Sequence, residues 1–351
     1  MLSALDPIVL LQHGGLTDLS GKTGLAMLRY RSGPIVAVID PDHAGQRIPA
    51  VTGIPRDVPV LASLAEALPL GPAVAVVGLA PSGGQLPPAL RQDVAAALAA
   101  GLNVASGLHS RLADDPELAA LRQQDRWIWD LRVEPPGLSV AAARTAELPC
   151  RRVLAVGSDM AVGKMSTCLE LTAAAQRRRL PARFVGTGQA GLLISGQGVA
   201  LDAVRVDYAA GAVEQAVLDA AADLEPEGVL FVEGQGSLCH PGSTATLPLL
   251  RGSQPTDLLL VHRAGQVTIQ RHPTIPLPPL EELIACVEAL AALGRPTTTP
   301  PPRVAAIALN TAHLSQEEAA AAVVATADAT GLPCRDPVRQ GADALLEALL
   351  G

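Results

Sequence analysis

Aromatic residues are almost missing from this chain. Phe, Trp and Tyr make up 2% of 351 residues, while 49% are hydrophobic. A core with so few rings has to be assembled from Ala, Val and Leu spread over many helices and strands, which suits a layered α/β protein. Basic charge is also scarce: 26 Lys and Arg stand against 34 Asp and Glu, giving −8, and the longest basic run is Arg177-Arg178-Arg179. That excludes the electrostatic footprint of a nucleic-acid binder. The five cysteines, Cys150, Cys168, Cys239, Cys286 and Cys334, contain no C-x-x-C pair and are odd in number. Neither a disulfide framework nor a structural zinc site fits them, so reduced thiols in a cytoplasmic protein are expected. Long apolar runs are lacking too, because Gly, Pro or a charge interrupts each one short of the roughly 18 residues a membrane span needs. The first residues, Met-Leu-Ser-Ala-Leu-Asp-Pro, carry no basic n-region. The expectation is a soluble, unprocessed protein with small-molecule partners, no nucleic acid and no membrane.

Short β-rich runs alternate with Ala/Leu-rich stretches, the pattern of right-handed βαβ crossovers on a parallel sheet. Strands are predicted at Ile8 to Leu11, Ile35 to Ile39, Ala73 to Val77 and Asn103 to Ala105, with helices over Leu61 to Leu68 and Leu90 to Ala100. These form a first domain, residues 1–135. Residues 136–150, rich in Pro and Gly at the start, read as a linker. A second domain, 151–351, has strands predicted at Val153 to Val156, Arg183 to Gly186, Ala203 to Val206, Val229 to Val232, Leu258 to Val261 and Val304 to Ala308. The Pro-rich stretch from Arg295 to Arg303 reads as a spacer loop.

The sharpest motif is Gly157-Ser158-Asp159-Met160-Ala161-Val162-Gly163-Lys164-Met165-Ser166-Thr167, set between a predicted strand and a helix reaching about Arg179. Such a loop points backbone N–H groups and a helix N-terminus at an anion, and Lys164 adds a mobile positive charge. Against G-x-x-x-x-G-K-[ST], Gly163 and Lys164 fit, Ser158 stands at the first-glycine position, and Met165 replaces the hydroxyl that would hold Mg²⁺. A phosphate without its metal is the expectation, although Ser166 or Thr167 could recover a metal from the next turn. A second stretch, Gly15 to Gly21-Lys22-Thr23, looks superficially alike, with a capping loop as its plain alternative. Asp40 ends a strand where a dinucleotide fold places its ribose-binding acid, but His13-Gly14-Gly15 is not G-x-G-x-x-G.

Other candidates sit at predicted strand ends, where α/β sheets bind ligands. Glu233 and Asp207 are the candidate general bases, with capping or an Arg partner as the plain reading. His240, Gln235 and Ser237 follow Glu233 and could bind substrate or an oxyanion. Gly188 and Gln189 would let a ligand approach the backbone closely, and Glu214 could line the same crevice. Pro81-Ser82-Gly83-Gly84 and Ser106-Gly107-Leu108-His109 are further strand-end loops. Trp127 and Trp129 read as interface core.

The loop from Gly157 to Lys164 resembles that of dethiobiotin synthetase, Gly-Thr-Asp-x-x-Val-Gly-Lys-Thr, and Val232-Glu233-Gly234 is similar to that enzyme's Val-Glu-Gly. Over the whole chain, Lys22-Thr23, Leu28-Arg29-Tyr30, Val38-Ile39-Asp40, Gly78 to Gly84, Ser106 to His109, Gly163-Lys164-Met165, Thr187-Gly188-Gln189 and Glu233 to Pro241 together resemble the domain of unknown function 1611 family. The resemblance implies an α/β protein with an N-terminal Rossmann-like parallel-sheet domain and a C-terminal P-loop NTPase-like domain. It further implies a D-glutamate N-acetyltransferase using acetyl-CoA. Met165 agrees with the family pattern, whereas Ser158 replaces its usual Thr and Tyr208 its usual Phe. N-acetylation needs a base and oxyanion donors but no metal, so Gly157 to Thr167 would hold a CoA phosphate. The competing expectations are an ATP- and Mg²⁺-dependent ligase or kinase, with Asp159, Ser166 or Glu233 holding the metal, and a non-catalytic CoA or nucleotide sensor. Ala/Leu-rich helices suit a homo-oligomer.

Overall fold

The computed structural model describes residues 2–3, 5–79 and 86–351. The chain forms two compact units: unit 1 holds residues 1–133 and 189–196, and unit 2 holds 134–188 and 197–351.

Unit 1 is built on six strands, β1 (Ile8–Leu11), β2 (Ile35–Ile39), β3 (Val60–Leu61), β4 (Val74–Val77), β5 (Asn103–Ser106) and β6 (Ile128–Asp130). They lie in the order β3-β2-β1-β4-β5-β6, all parallel. The strand order reverses between β1 and β4, the switch point of an open α/β sheet. β1 and β4 are apolar at every position and fully buried, as strands covered by helices on both faces must be. Val9, Leu11, Ile39, Val77, Leu90, Leu98 and Val104 share one core cluster.

Unit 2 has a second parallel sheet made of β7 (Arg151–Gly157), β8 (Ala182–Val185), β9 (Val229–Val232), β10 (Asp257–Arg263), β13 (Arg303–Asn310) and β14 (Cys334–Arg335). The order is β14-β13-β10-β7-β9-β8. β7 lies between β9 and β10, with Val153 beside Phe231 on one side and Asp257 on the other. Its core is aliphatic, including Leu154, Val156, Val213, Leu230, Val232, Leu260 and Ile307. Each such side chain contributes about 1.5–3 kcal/mol on burial, which is how the fold does without aromatics. β11 (Thr268–Ile269) and β12 (His272–Pro276) form a separate antiparallel hairpin.

Ala203 to Val206 is not a strand. Its residues divide between a 3-10 turn, Leu201–Ala203, and a helix, Val206–Ala221. A short apolar run cannot announce its period, and the Ala-rich sequence beyond it carries the helix, with Asp207 in the dipole-favoured first turn. The helix expected over Leu61 to Leu68 breaks into β3, a short helix Leu64–Ala67 and a 3-10 turn Leu68–Leu70. Pro69 removes the N–H that a continuing helix would need. β6 and β14, three- and two-residue edge strands too short for a pattern, were not foreseen, and Trp129 lies in β6. Residues 136–150 belong to unit 2, where a 3-10 turn, Arg144–Glu147, is tied down by Thr145 Oγ1 donating to the Gly252 carbonyl at 2.8 Å. Among the described residues no helix is long and apolar enough to cross a membrane.

Candidate active site around the phosphate loop of unit 2

β7 delivers the chain to Gly157 at the carboxyl edge of its sheet, and the helix Lys164–Arg177 begins seven residues later. The connecting loop is tightly bent: Ala161 has φ +53° and Gly163 φ +113°. Lys164 folds back over this loop, donating from Nζ to the Asp159 carbonyl at 2.9 Å, and is only 6% exposed. Two glycines make room for it. A Cβ at Gly157 would come within 2.6 Å of Lys164 Nζ, and one at Gly234 within 1.9 Å of the Ala155 carbonyl and 2.8 Å of Lys164 Cδ. Burial lowers the Lys164 ammonium to about 8, with the charges of Asp159 and Glu233 opposing the shift.

Glu233 follows β9 directly and is 4% exposed. One carboxylate oxygen accepts from the backbone N–H groups of Thr187 at 2.8 Å and Gly188 at 3.1 Å. The other accepts from Gln235 Nε2 at 3.1 Å. Burial pushes Glu233 up to about 7, the two N–H groups and Lys164 holding it from going higher. An acid and an ammonium thus share a buried site with proton affinities close to neutrality, where proton transfer is cheapest.

Asp159 has a different task. Oδ1 accepts from Met160 N at 2.6 Å, and Oδ2 accepts from Gln266 Nε2 at 2.6 Å and Gln270 N at 2.7 Å. Both oxygens are engaged by the loop itself and by the β11–β12 hairpin. Met165 stands where a hydroxyl would hold Mg²⁺, and the carboxylates of Asp159 and Glu233 are both engaged as hydrogen-bond acceptors. Among the described residues no three His, Cys, Asp or Glu side chains are grouped as metal ligands.

Ser158 is fully buried, its hydroxyl 2.8 Å from His262 Nδ1. Burial pushes His262 down to about 4, so the ring is neutral at pH 7 and can accept from the hydroxyl. Ser237 Oγ donates to the Ser158 carbonyl at 2.8 Å and accepts from Cys239 N. His240 is half-buried, its Nδ1 accepting from Gly242 N at 3.1 Å and its ring edge-on to His272 at 5.3 Å between centroids. Asn310, ending β13, donates to the Val162 carbonyl at 2.9 Å.

The phosphate loop, Glu233, Gln235, Ser237 and Gly188 are therefore brought together within unit 2. Three expected site residues are not. Asp207 is exposed in the first turn of the helix Val206–Ala221, at no strand end. Glu214 is fully buried and accepts from Ala142 N, Arg144 N and Arg144 Nε, the last at 2.8 Å. It fastens the 136–150 segment and lines no crevice. Gln189 belongs to unit 1, where a Cβ on Gly107 would come within 2.9 Å of it. Also in unit 1, Lys22 is exposed and Asp40 is buried, capping Asp42 N at 3.2 Å. Residues 81–84 lie outside the described residues. His262, Gln266, Gln270 and Asn310 were missed. Each reaches the loop from about a hundred or more positions away, and only its place at or just after a strand end could have hinted at it.

Fold and site together define a two-unit α/β protein carrying a phosphate loop whose buried lysine lies in the field of a buried glutamate. Family models match over both units: residues 41–134 fit the Rossmann-like domain DUF1611_N, and residues 139–346 fit the P-loop domain DUF1611_C, both described as domains of unknown function. The chain belongs to the DUF1611 family. It is 36% identical over 312 residues to a D-glutamate N-acetyltransferase of Tritonibacter scottomollicae, covering 88% of this chain and 90% of that protein. A D-glutamate N-acetyltransferase of a Pseudoalteromonas species is 35% identical, with 82% and 84% covered. Among solved structures, a DUF1611 family protein from Anabaena variabilis is similar at 52% identity and a TM-score of 0.91, over 98% of this chain and 99% of that one.

Proposed function

We propose that this protein is an N-acetyltransferase that moves the acetyl group of acetyl-CoA onto the amino group of D-glutamate or a related D-amino acid. The observation that carries the reading is the state of the phosphate loop. It offers N–H groups and a buried lysine to an anion, while Met165 supplies no hydroxyl for the Mg²⁺ that γ-phosphate chemistry requires and both oxygens of Asp159 are engaged within unit 2. A CoA phosphate, a spectator in acyl transfer, needs only the former. The naming of the two relatives supports the same reaction.

In this reading the neutral amine attacks the thioester carbonyl carbon, the C–S bond breaks, and CoA leaves as the thiolate, which takes up the proton that Glu233 has received from the amine. The amine's surplus proton is taken by Glu233, whose raised proton affinity suits a base working near neutrality. Gln235 and Thr187-Gly188 orient its carboxylate. The protein acts on small molecules in the cytoplasm as a homo-oligomer, and light scattering on the purified protein measures the last point. The deciding assay follows free thiol released from acetyl-CoA across a panel of D- and L-amino acids. Thiol release with D-glutamate and without Mg²⁺ is expected. Turnover seen only with ATP and Mg²⁺ overturns the proposal.

A further inference from the structure

The β11–β12 hairpin is the part of unit 2 that none of these roles absorbs. Ile269, 1% exposed, is buried beside the turn, and the strands are joined by Gln270 and Arg271 alone. Its tip is fixed onto the phosphate loop, since Gln270 N donates to Asp159 Oδ2 at 2.7 Å. Consecutive Cα atoms are roughly 3.8 Å apart, so the next residue, Arg271, is within a side chain's length of that loop. Arg271 is exposed, has φ +69°, and makes no hydrogen bond or ion pair among the described residues. Glycine occupies such a conformation without strain; here the position is held by a long cationic side chain. A second guanidinium stands on the same loop. Arg263, ending β10, donates from Nη2 to the Ala161 carbonyl at 3.4 Å, and its Nε is buried with no partner among the described residues. His272 follows Arg271 and meets His240 ring to ring. In a chain of net charge −8 this pair of guanidinium groups beside a phosphate loop is local.

We infer that the β11–β12 hairpin, held on the phosphate loop by Asp159, is a second phosphate subsite in which Arg271 binds the 3′-phosphate of CoA. The inference rests on the acetyl-CoA reading and extends it to a division of labour. The loop amides and Lys164 take the pyrophosphate, whose charge is spread over bridged groups. The hairpin takes the monoester, which carries about −1.5 to −2 charge and suits a bidentate guanidinium. Asp159 is then a positioning residue, acting through the hairpin.

The test is titration calorimetry of the full-length protein with CoA and with 3′-dephospho-CoA. Wild type is expected to bind CoA about tenfold more tightly or better. Arg271→Ala should weaken CoA to the level of the dephospho form and leave the dephospho form unchanged; an exposed turn residue without partners can be replaced without unfolding the protein. Asp159→Ala should lose the same discrimination, and adding it to Arg271→Ala should cost no further discrimination. Equal affinity of wild type for both ligands overturns the inference, as does an Arg271→Ala variant that still discriminates or that loses both ligands equally. In those cases a Lys164→Ala variant with weakened CoA binding keeps the acetyl-CoA reading standing. If wild type binds neither ligand, that reading falls and the subsite with it.

Discussion

Two loops in this protein look alike on paper and differ in three dimensions. In unit 1, β1 is followed by a loop that ends in Gly21-Lys22-Thr23 and a helix, Lys22–Tyr30; in unit 2, β7 is followed by one that ends in Gly163-Lys164-Met165 and a helix. Unit 1 fills its switch point with its own side chain. Gln12 is fully buried, Nε2 donating to the Gly21 carbonyl at 2.8 Å, and its amide lies where a Cβ on Gly24 or Gly78 would come within 2.2 Å or 2.0 Å of Oε1. Lys22 is left in solvent. In unit 2 the residue ending the strand is Gly157, whose missing side chain lets Lys164 lie inside the loop. A Gly-Lys pair at a helix start is thus only half of a phosphate site. The other half is whether the residue closing the preceding strand leaves the lysine room.

The largest effect that this contrast predicts is on chemistry. Glu233→Gln keeps the shape of the site but removes the proposed base, and kcat for the proposed D-glutamate acetylation should drop by about 10²–10⁴, with CoA affinity little changed in a titration. Next comes the paired removal of the two lysines. Lys164→Ala should weaken acetyl-CoA binding by about tenfold or more, the scale of a lost charge-assisted contact, whereas Lys22→Ala should leave binding within error. Equal effects of the two would dissolve the distinction between the loops. Third, Gln12→Ala should destabilise the protein by ~2 kcal/mol, through the cavity and the Gly21 carbonyl left unpaired, which denaturant unfolding measures.

The smallest effect is a pH dependence that sharpens the electrostatic side. Glu233, raised from 4.5 to about 7, binds its proton more tightly when folded, so its contribution to stability grows as pH falls through 7 toward 4.5. His262, lowered from 6.5 to about 4, does the reverse and loses stability over 6.5 to 4. The two slopes oppose one another between pH 4.5 and 6.5. Replacing His262 by Gln should therefore make the melting temperature rise more, or fall less, between pH 7 and 5 than it does in wild type. Thermal unfolding of both proteins at matched ionic strength gives the answer.

Much of the scaffold was legible in the sequence. β1, β2 and β9 run over the residues that their apolar stretches marked out, because a strand buried on both faces is written as an unbroken Val/Ile/Leu run. The phosphate loop was legible for a related reason: turn glycines, helix start and lysine are local in sequence. Residues such as Asp207 and Glu214 were misread because acidic side chains serve equally well as bases, caps and structural acceptors. Glu214 became an anchor only when the chain 70 residues before it folded onto its helix.

The sequence by itself determined the two parallel sheets, the family and the position of the anion loop, since apolar periodicity and glycine placement act over a few residues. Tertiary structure decided which lysine is buried, which acid is left with a proton affinity near neutrality, and that Asp159 clamps a hairpin. Those outcomes depend on desolvation and on hydrogen bonds between residues as far apart as Asp159 and Gln270, and both exist only once the chain has closed around them.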